Sequence, residues 1–343
     1  MFVVFGHEEE TMKIRLRYSE IISVLAAVGS FSLGIPAMAA GWQPEGPVEI
    51  VVPTGAGGEN DRVARFVQRI FEQKKLVTTP VLVVNKSGGN QVLSLVYFSK
   101  KAPDPQFLLY TTGTVLSNQI AGLTELGYHD VTPIAKLRCD NTALTVAPSS
   151  SMKNMGDLLA RLRKNIRSVS FGGVSRGGAN NLVLAKALRS GGVDPSQLKM
   201  VVFKTNAKSM TAVMGNHVDA VASSVSAAFQ NFKAGKLRIL AVSAPKRLSG
   251  ILADVPTMAE SGLDVKGVSN CRYIYATKGI TAAQRAFWEH AMAAVSDDKE
   301  WNADIARRNQ IKDFLVGKEL EADLAETYAA TKAAMVDIGL AKK

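Results

Sequence analysis

Two hydrophobic rhythms take turns along this chain: short apolar runs, and stripes that recur every three or four residues. Val48 to Val52 is apolar except at Glu49, the mark of a buried strand. Behind it Val63, Phe66, Val67, Ile70 and Phe71 fall at i, i+3, i+4, i+7 and i+8, the stripe of a helix packed on a sheet. Val81 to Val84 reads as a second strand and Val92 to Lys100 as a helix. Pro103-Asp104-Pro105 breaks that helix, and Phe107 to Thr111 is a third strand. Three strand–helix units in series predict a parallel sheet wrapped by helices.

The middle of the chain repeats the arrangement. Ala143 to Ala147 and Ser168 to Phe171 read as strands around a helix at Met155 to Arg163. A further helix carries Leu182, Leu184, Ala185 and Leu188 on its apolar side, followed by a strand at Met200 to Phe203, a helix at Ser209 to Met214 and a strand at Val218 to Ala222. Leu237 to Val242 is another strand and Ala282 to Ala294 another helix. The closing helix, Leu320 to Ile338, places Leu324, Tyr328, Thr331, Met335 and Ile338 near one face, a core-packing stripe. The pattern predicts an α/β protein of two lobes, each a mostly parallel sheet flanked by helices.

Each lobe carries one glycine-rich turn between a strand and a helix: Thr54-Gly55-Ala56-Gly57-Gly58 in the first, Ser175-Arg176-Gly177-Gly178 in the second. Glycine lets backbone N–H groups crowd at the positive start of a helix, where an anion is stabilised. Ligands favour the carboxyl ends of parallel strands, so two such turns facing a cleft would hold one ligand between them.

Ahead of the first strand, Lys13, Arg15 and Arg17, the apolar stretch from Ile21 to Ile35 and Ala37-Met38-Ala39 read as a secretory signal peptide over residues 1–39. Removing 39 of the 343 residues leaves a length suited to two lobes of roughly 100–200 residues each. The first lobe is expected over residues 40–138 and 236–343, the second over 139–235. The net charge of +11 is spread through helices, without a basic stripe interleaved with aromatics, which argues against nucleic acid and leaves either the steering of an anionic ligand or a solvated face. Cys139 and Cys271, far apart and without a histidine cluster, leave a disulfide and two buried thiols equally open and give no support for a metal.

Two chemical motifs require separate weighing. The first glycine turn has Asn60 where a dinucleotide fingerprint needs its third glycine, and it lacks the Gly-Lys-Ser/Thr of a P-loop, so no nucleotide cofactor is expected. Gly173-Val174-Ser175-Arg176-Gly177 matches the nucleophile elbow G-x-S-x-G, which makes an exported serine hydrolase the alternative reading. Its histidine would have to be His217 or His290, the first just before a strand and the second within a helix.

Further along, a collinear series of matches resembles the substrate-binding receptors of tripartite tricarboxylate transporters, the Bug-type receptors. It begins with Pro53 to Arg65, including Gly57-Gly58, Asp61 and Ala64-Arg65, and continues with Asn85-Lys86, Pro103-Asp104, Tyr128, Asp130 and Pro133-Ile134. It then runs through Val202-Phe203-Lys204, Gly215, Val218-Asp219, Gly235-Lys236-Leu237-Arg238, Leu240-Ala241-Val242, Arg247, Asp254-Val255-Pro256-Thr257, Glu260, Gly262 and Lys278-Gly279. The resemblance implies a two-lobed periplasmic-binding-protein architecture of type II, a Venus flytrap. It also implies a periplasmic location, no catalysis, and delivery of a small organic acid to the subunits of a membrane permease. Di- and tricarboxylates, aromatic acids and acidic amino acids are all open as ligands.

Carried onto this chain, the resemblance makes Thr54, Gly55, Ala56, Gly57, Gly58 and Asp61 the first binding loop and Ser175, Arg176, Gly177, Gly178 and Asn180 the second. For Asp61 itself, capping its helix and holding the loop is the preferred reading over touching the ligand. Thr112 and Thr114 offer hydroxyls at the end of the third strand, Lys204 a cation at the end of a second-lobe strand, and Ser223 a hydroxyl where the family lines its cleft. The chain departs from the family pattern at Cys271-Arg272-Tyr273, where relatives carry Trp-x-Gly, and at Ala179-Asn180-Asn181. Arg272 is a candidate bidentate clamp for a second acidic group if its strand borders the cleft, and a hinge or surface arginine if it does not.

Overall fold

The computed structural model describes residues 1, 41–265, 268, 270–337 and 339–342. The signal-peptide reading falls almost wholly on residues 2–40, which lie outside them. Eleven strands among the described residues form two sheets. The first contains β1 (Val48–Val52), β2 (Val81–Asn85), β3 (Phe107–Thr111), β4 (Val131–Asp140), β10 (Asn270–Thr277) and β11 (Ile311–Leu315), in the order β11-β4-β10-β3-β1-β2. The second contains β5 (Thr142–Val146), β6 (Ser170–Gly173), β7 (Lys199–Val202), β8 (Ala220–Ser224) and β9 (Arg238–Val242), in the order β7-β6-β8-β5-β9.

The two-lobed α/β architecture is the expected one, but the pairing within each sheet is mixed. β1 runs parallel to β2 and β3, whereas β10 is antiparallel to both β3 and β4. In the second sheet β6 is parallel to β7 and β8, and β5 is antiparallel to β8 and β9. The chain crosses between the lobes along antiparallel members, β4 handing over to β5 through Asn141 and β9 preceding the return along β10, while β11 adds antiparallel to β4 at the edge of the first sheet. A crossing strand joins its sheet from outside the βαβ sequence, so the right-handed parallel crossover does not constrain it. The same pairing corrects the expected lobe boundary. β9 belongs to the second sheet through its pairing with β5, so the first lobe does not resume at residue 236 but at β10.

Helices cover both faces of each sheet. In the first lobe α1 (Glu59–Gln73), α8 (Ala282–Ser296) and α9 (Lys299–Arg307) bury Phe66, Ile70, Phe71, Trp288 and Trp301 against β1, β3 and β4. On the opposite face α2 (Val92–Ser99) contributes Leu95 and Phe98, and the long α10 (Gly317–Asp337) contributes Leu320 and Leu324. In the second lobe α4 (Met155–Lys164) and α5 (Ala179–Ser190) pack on one face, with α6 (Asn206–Met214) and α7 (Val225–Lys233) on the other. The far end of α10 reaches the second lobe. Met335 packs with Ile120 of α3 (Thr114–Ile120) and with Leu182 and Ala185 of α5.

Cys139 on β4 and Cys271 on β10 stand opposite each other and form a disulfide. The covalent loop it closes spans a sequence separation of 132 and holds the entire second sheet. Asp313 lies beside the two sulfurs, but a bonded pair offers no thiolate, so this cluster is not a metal site.

Candidate functional site: a cleft where three helices begin

Each glycine turn is built the same way. After β1, Gly57 has φ +76° and its N–H donates to Asp61 Oδ2 at 2.9 Å. After β6, Gly177 has φ +71° and its N–H donates to Asn181 Oδ1 at 2.9 Å. The left-handed turn that glycine permits aims the chain into the helix, and the acid or amide four residues on holds it there. Gly58 and Gly178 then cap α1 and α5 without a side-chain cap, which leaves the first helical N–H groups facing outward.

These two helix starts meet a third. Gly58, Glu59 and Asn60 of α1, Gly178, Ala179 and Asn180 of α5, and Thr205 and Asn206 of α6 all line one cavity of ≈ 50 Å³ between the lobes. Thr54, Gln91, Thr112, Ser175, Asn270 and Arg272 complete much of its wall. Such a volume admits a few waters or the head of a small anion. Three positive helix ends aimed at one enclosed space make a strong site for negative charge. Thr54 Oγ1, Asn206 Oδ1 and Arg272 Nε are all buried without a hydrogen-bond partner, an uncommon condition for buried polar atoms.

Glu59 is the acidic residue in the wall, yet its charge is compensated. Burial works against ionisation, but the Arg62 hydrogen bonds and the charges of Arg62, Arg138 and Arg308 hold its carboxyl below the ordinary value. Arg62 in turn bridges Glu59 at 2.9 Å and Asp304 at 3.1 Å.

Several residues expected at the site lie beside it instead. Ala56 and Gly57 are exposed on the outer side of the first turn, and Asp61 holds the Gly57 N–H and pairs with Arg65 at 3.1 Å. Gly55 spends its N–H on the Lys204 carbonyl across the lobes at 3.4 Å, while Lys204 itself is exposed. Arg176 is exposed, and Gly177 is buried behind the wall with its N–H spent on Asn181. Thr114 donates to Gln91 Oε1 at 2.9 Å and so positions that residue rather than lining the cavity. Ser223 is fully buried, and its neighbour Ala222 lines the wall. The sequence reading missed Gln91, Thr205, Asn206 and Asn270. Thr205, whose hydroxyl accepts the Lys208 N–H as the cap of α6, lies ahead of the helix expected from Ser209.

The geometry removes His217 as the base of the hydrolase alternative. β6 and β8 are parallel, Ser175 follows the carboxyl end of β6, and His217 precedes the amino end of β8, so the two sit at opposite ends of the sheet. His290 lies on α8, packed on the first sheet.

Comparison with known proteins places this geometry in context. Protein BugT of Bordetella pertussis is 26% identical over 247 residues, covering 70% of this chain and 74% of that one. The solved structure of the periplasmic binding protein BugD superposes with a TM-score of 0.75 at 23% identity, covering 88% of this chain and all (100%) of its own. R. palustris Rpa4515, solved with adipate, gives 0.77 at 21% identity, covering 87% and 99%. Residues 63–286, well over half of the chain, match the model of the tripartite tricarboxylate transporter family receptor, a family of substrate-binding receptors. Two lobes, a pair of matched glycine turns and this match together establish that the chain belongs to the tripartite tricarboxylate transporter receptor family.

Proposed function

We propose that this protein is an exported, periplasmic receptor that closes its two lobes on a small organic carboxylate and delivers it to a tripartite tricarboxylate-type permease. The observation that carries the reading is the convergence of the α1, α5 and α6 starts, drawn from both lobes, on one cavity. Backbone and hydroxyl donors at Thr54, Thr112, Ser175, Gly178 and Asn180 hold the carboxylate without a salt bridge to either turn. Such a grip lets affinity coexist with release. Closure follows because each lobe supplies only part of the donor set, so the ligand is fully held only when the lobes meet. The family supports export and the permease partner, and the adipate bound by the structural relative Rpa4515 supports the ligand class.

The test is a thermal-shift screen of the mature protein against C3–C8 mono-, di- and tricarboxylates, with calorimetry on each acid that raises the melting temperature. At least one acid should bind at micromolar or tighter affinity, and Gly178→Val should abolish that binding. A protein that ignores every carboxylate but turns over chromogenic esters in a Ser175-dependent way would reverse the assignment.

A further inference from the structure

The turns account for one carboxylate, but they do not account for Arg272. Its side chain is 3% exposed and lines the cavity. Nη1 is fixed by the carbonyl of Asn270 at 2.9 Å and by the Asn270 side-chain oxygen at 2.7 Å, and Nε is buried with no partner. Both oxygens holding this guanidinium are neutral, and no carboxylate pairs with it among the described residues. Its neighbour in register on β4, Arg138, shows the usual solution: an ion pair to Asp304 at 3.0 Å and the face of Trp301 at 4.3 Å. Asp140, whose charge is felt by Arg272, has its carboxyl committed to Ser226 and Gln310. A buried cation without a direct ion pair is costly, and a planar fork with a free edge matches a carboxylate.

We propose that Arg272 receives a second acidic group, so that the ligand is a diacid with one carboxylate at the glycine turns and the other on this guanidinium. The inference rests on the reading of the cleft as a carboxylate site. Closure prepares the fork: Asn180 at the start of α5 accepts from Asn270 Nδ2 at 3.0 Å and from Thr142 Oγ1 at 2.8 Å. The second lobe thereby holds the asparagine that orients Arg272. A monoacid of equal length fills the same space but leaves the arginine unpaired, and buried unpaired groups discriminate strongly.

The test compares acids of equal chain length: succinate with butyrate, and adipate with hexanoate, by calorimetry on the wild-type protein and on Arg272→Gln. In the wild type, at least one diacid should bind ten-fold or more tighter than its monoacid. Arg272→Gln should erase that preference, weakening the diacid far more than the monoacid. Equal affinity for both acids of each pair in the wild type overturns the proposal and leaves the carboxylate reading intact. That comparison needs no variant, so a misfolded Arg272→Gln does not blunt it. If none of the four acids binds while the wider screen finds a monoacid or a tricarboxylate that does, the diacid assignment is wrong. If no carboxylate binds at all, the underlying reading falls with it.

Discussion

Asn90 and Arg176 clasp each other across the cleft. The Asn90 side chain donates to the Arg176 carbonyl at 2.7 Å and accepts the Arg176 N–H at 2.8 Å, satisfying both backbone polar groups of that residue. Asn90 belongs to the first lobe, where its side chain and carbonyl also meet Asn118 at 2.8 and 2.9 Å, and Arg176 lies in the second glycine turn. The clasp forms only when the lobes are together.

Removing the clasp should therefore weaken binding without damaging either lobe. Asn90 has φ +55°, so Asn90→Gly keeps the backbone and deletes only the side chain. Two neutral hydrogen bonds at about 0.5–1.5 kcal/mol each predict a loss of roughly 5- to 160-fold in affinity, read by calorimetry. Small-angle scattering of the ligand-bound variant should show a larger open fraction. Unchanged affinity would show that the clasp does not contribute to closure.

The matched turns make a second prediction. Asn181 does with an amide what Asp61 does with a carboxylate, so Asp61→Asn should preserve the Gly57 turn and cost less than about 1 kcal/mol. Asp61→Ala leaves that N–H without its acceptor and should cost about 1–3 kcal/mol in denaturant unfolding, with weaker ligand binding. Equal stability of the two variants would contradict the loop-holding role.

Asp140 predicts an unusual pH dependence. Burial pushes its carboxyl up from 3.8 to about 6, against the opposing pull of Arg272, Ser226 and Gln310. A raised folded-state value means that the folded protein binds the proton more tightly, so stability falls as pH rises from about 4 through 6. Glu59 and Asp304 act in the opposite sense. Their folded values are depressed, so the stability they add is present above their unfolded values and is lost as the pH falls through the depressed ones. Asp140→Asn should flatten the pH 4.5–7 limb of a melting-temperature profile and raise stability at pH 7.5. A wild-type profile already flat across that range would rule the effect out.

The Cys139–Cys271 bridge should stabilise the junction of the lobes. Closing so long a loop restricts the unfolded chain by about 2–5 kcal/mol on chain-entropy grounds. The Cys139→Ser, Cys271→Ser double variant should melt lower, and reductant should lower the wild-type melting temperature while leaving that variant unaffected. Insensitivity of the wild type to reductant, with both thiols shown to be free, would exclude the bridge.

Much of the fold was legible locally. The 3.6-residue stripe from Val63 to Phe71 and the apolar run of β3 each depend on neighbours within one element, so periodicity reveals them. β4 and β10 were harder to place, because crossing strands are defined by the sheets they join. Within the site, Thr54, Gly58, Ser175 and Gly178 could be found because a glycine turn before a helix is a local signal. Gln91, Asn206 and Asn270 carried no such signal, since they reach the cavity only by the packing of distant segments.

The sequence by itself determined two βα lobes, two glycine turns and a basic chain suited to small anions, because backbone propensity and hydrophobic period act over a few residues. Only the tertiary structure decided that β9 belongs to the second lobe, that Cys139 meets Cys271, and that Arg272 lies buried in the cavity wall with no direct ion pair among the described residues. Those relationships join residues more than ninety positions apart, and only the folding of the chain into two lobes brings them within contact distance.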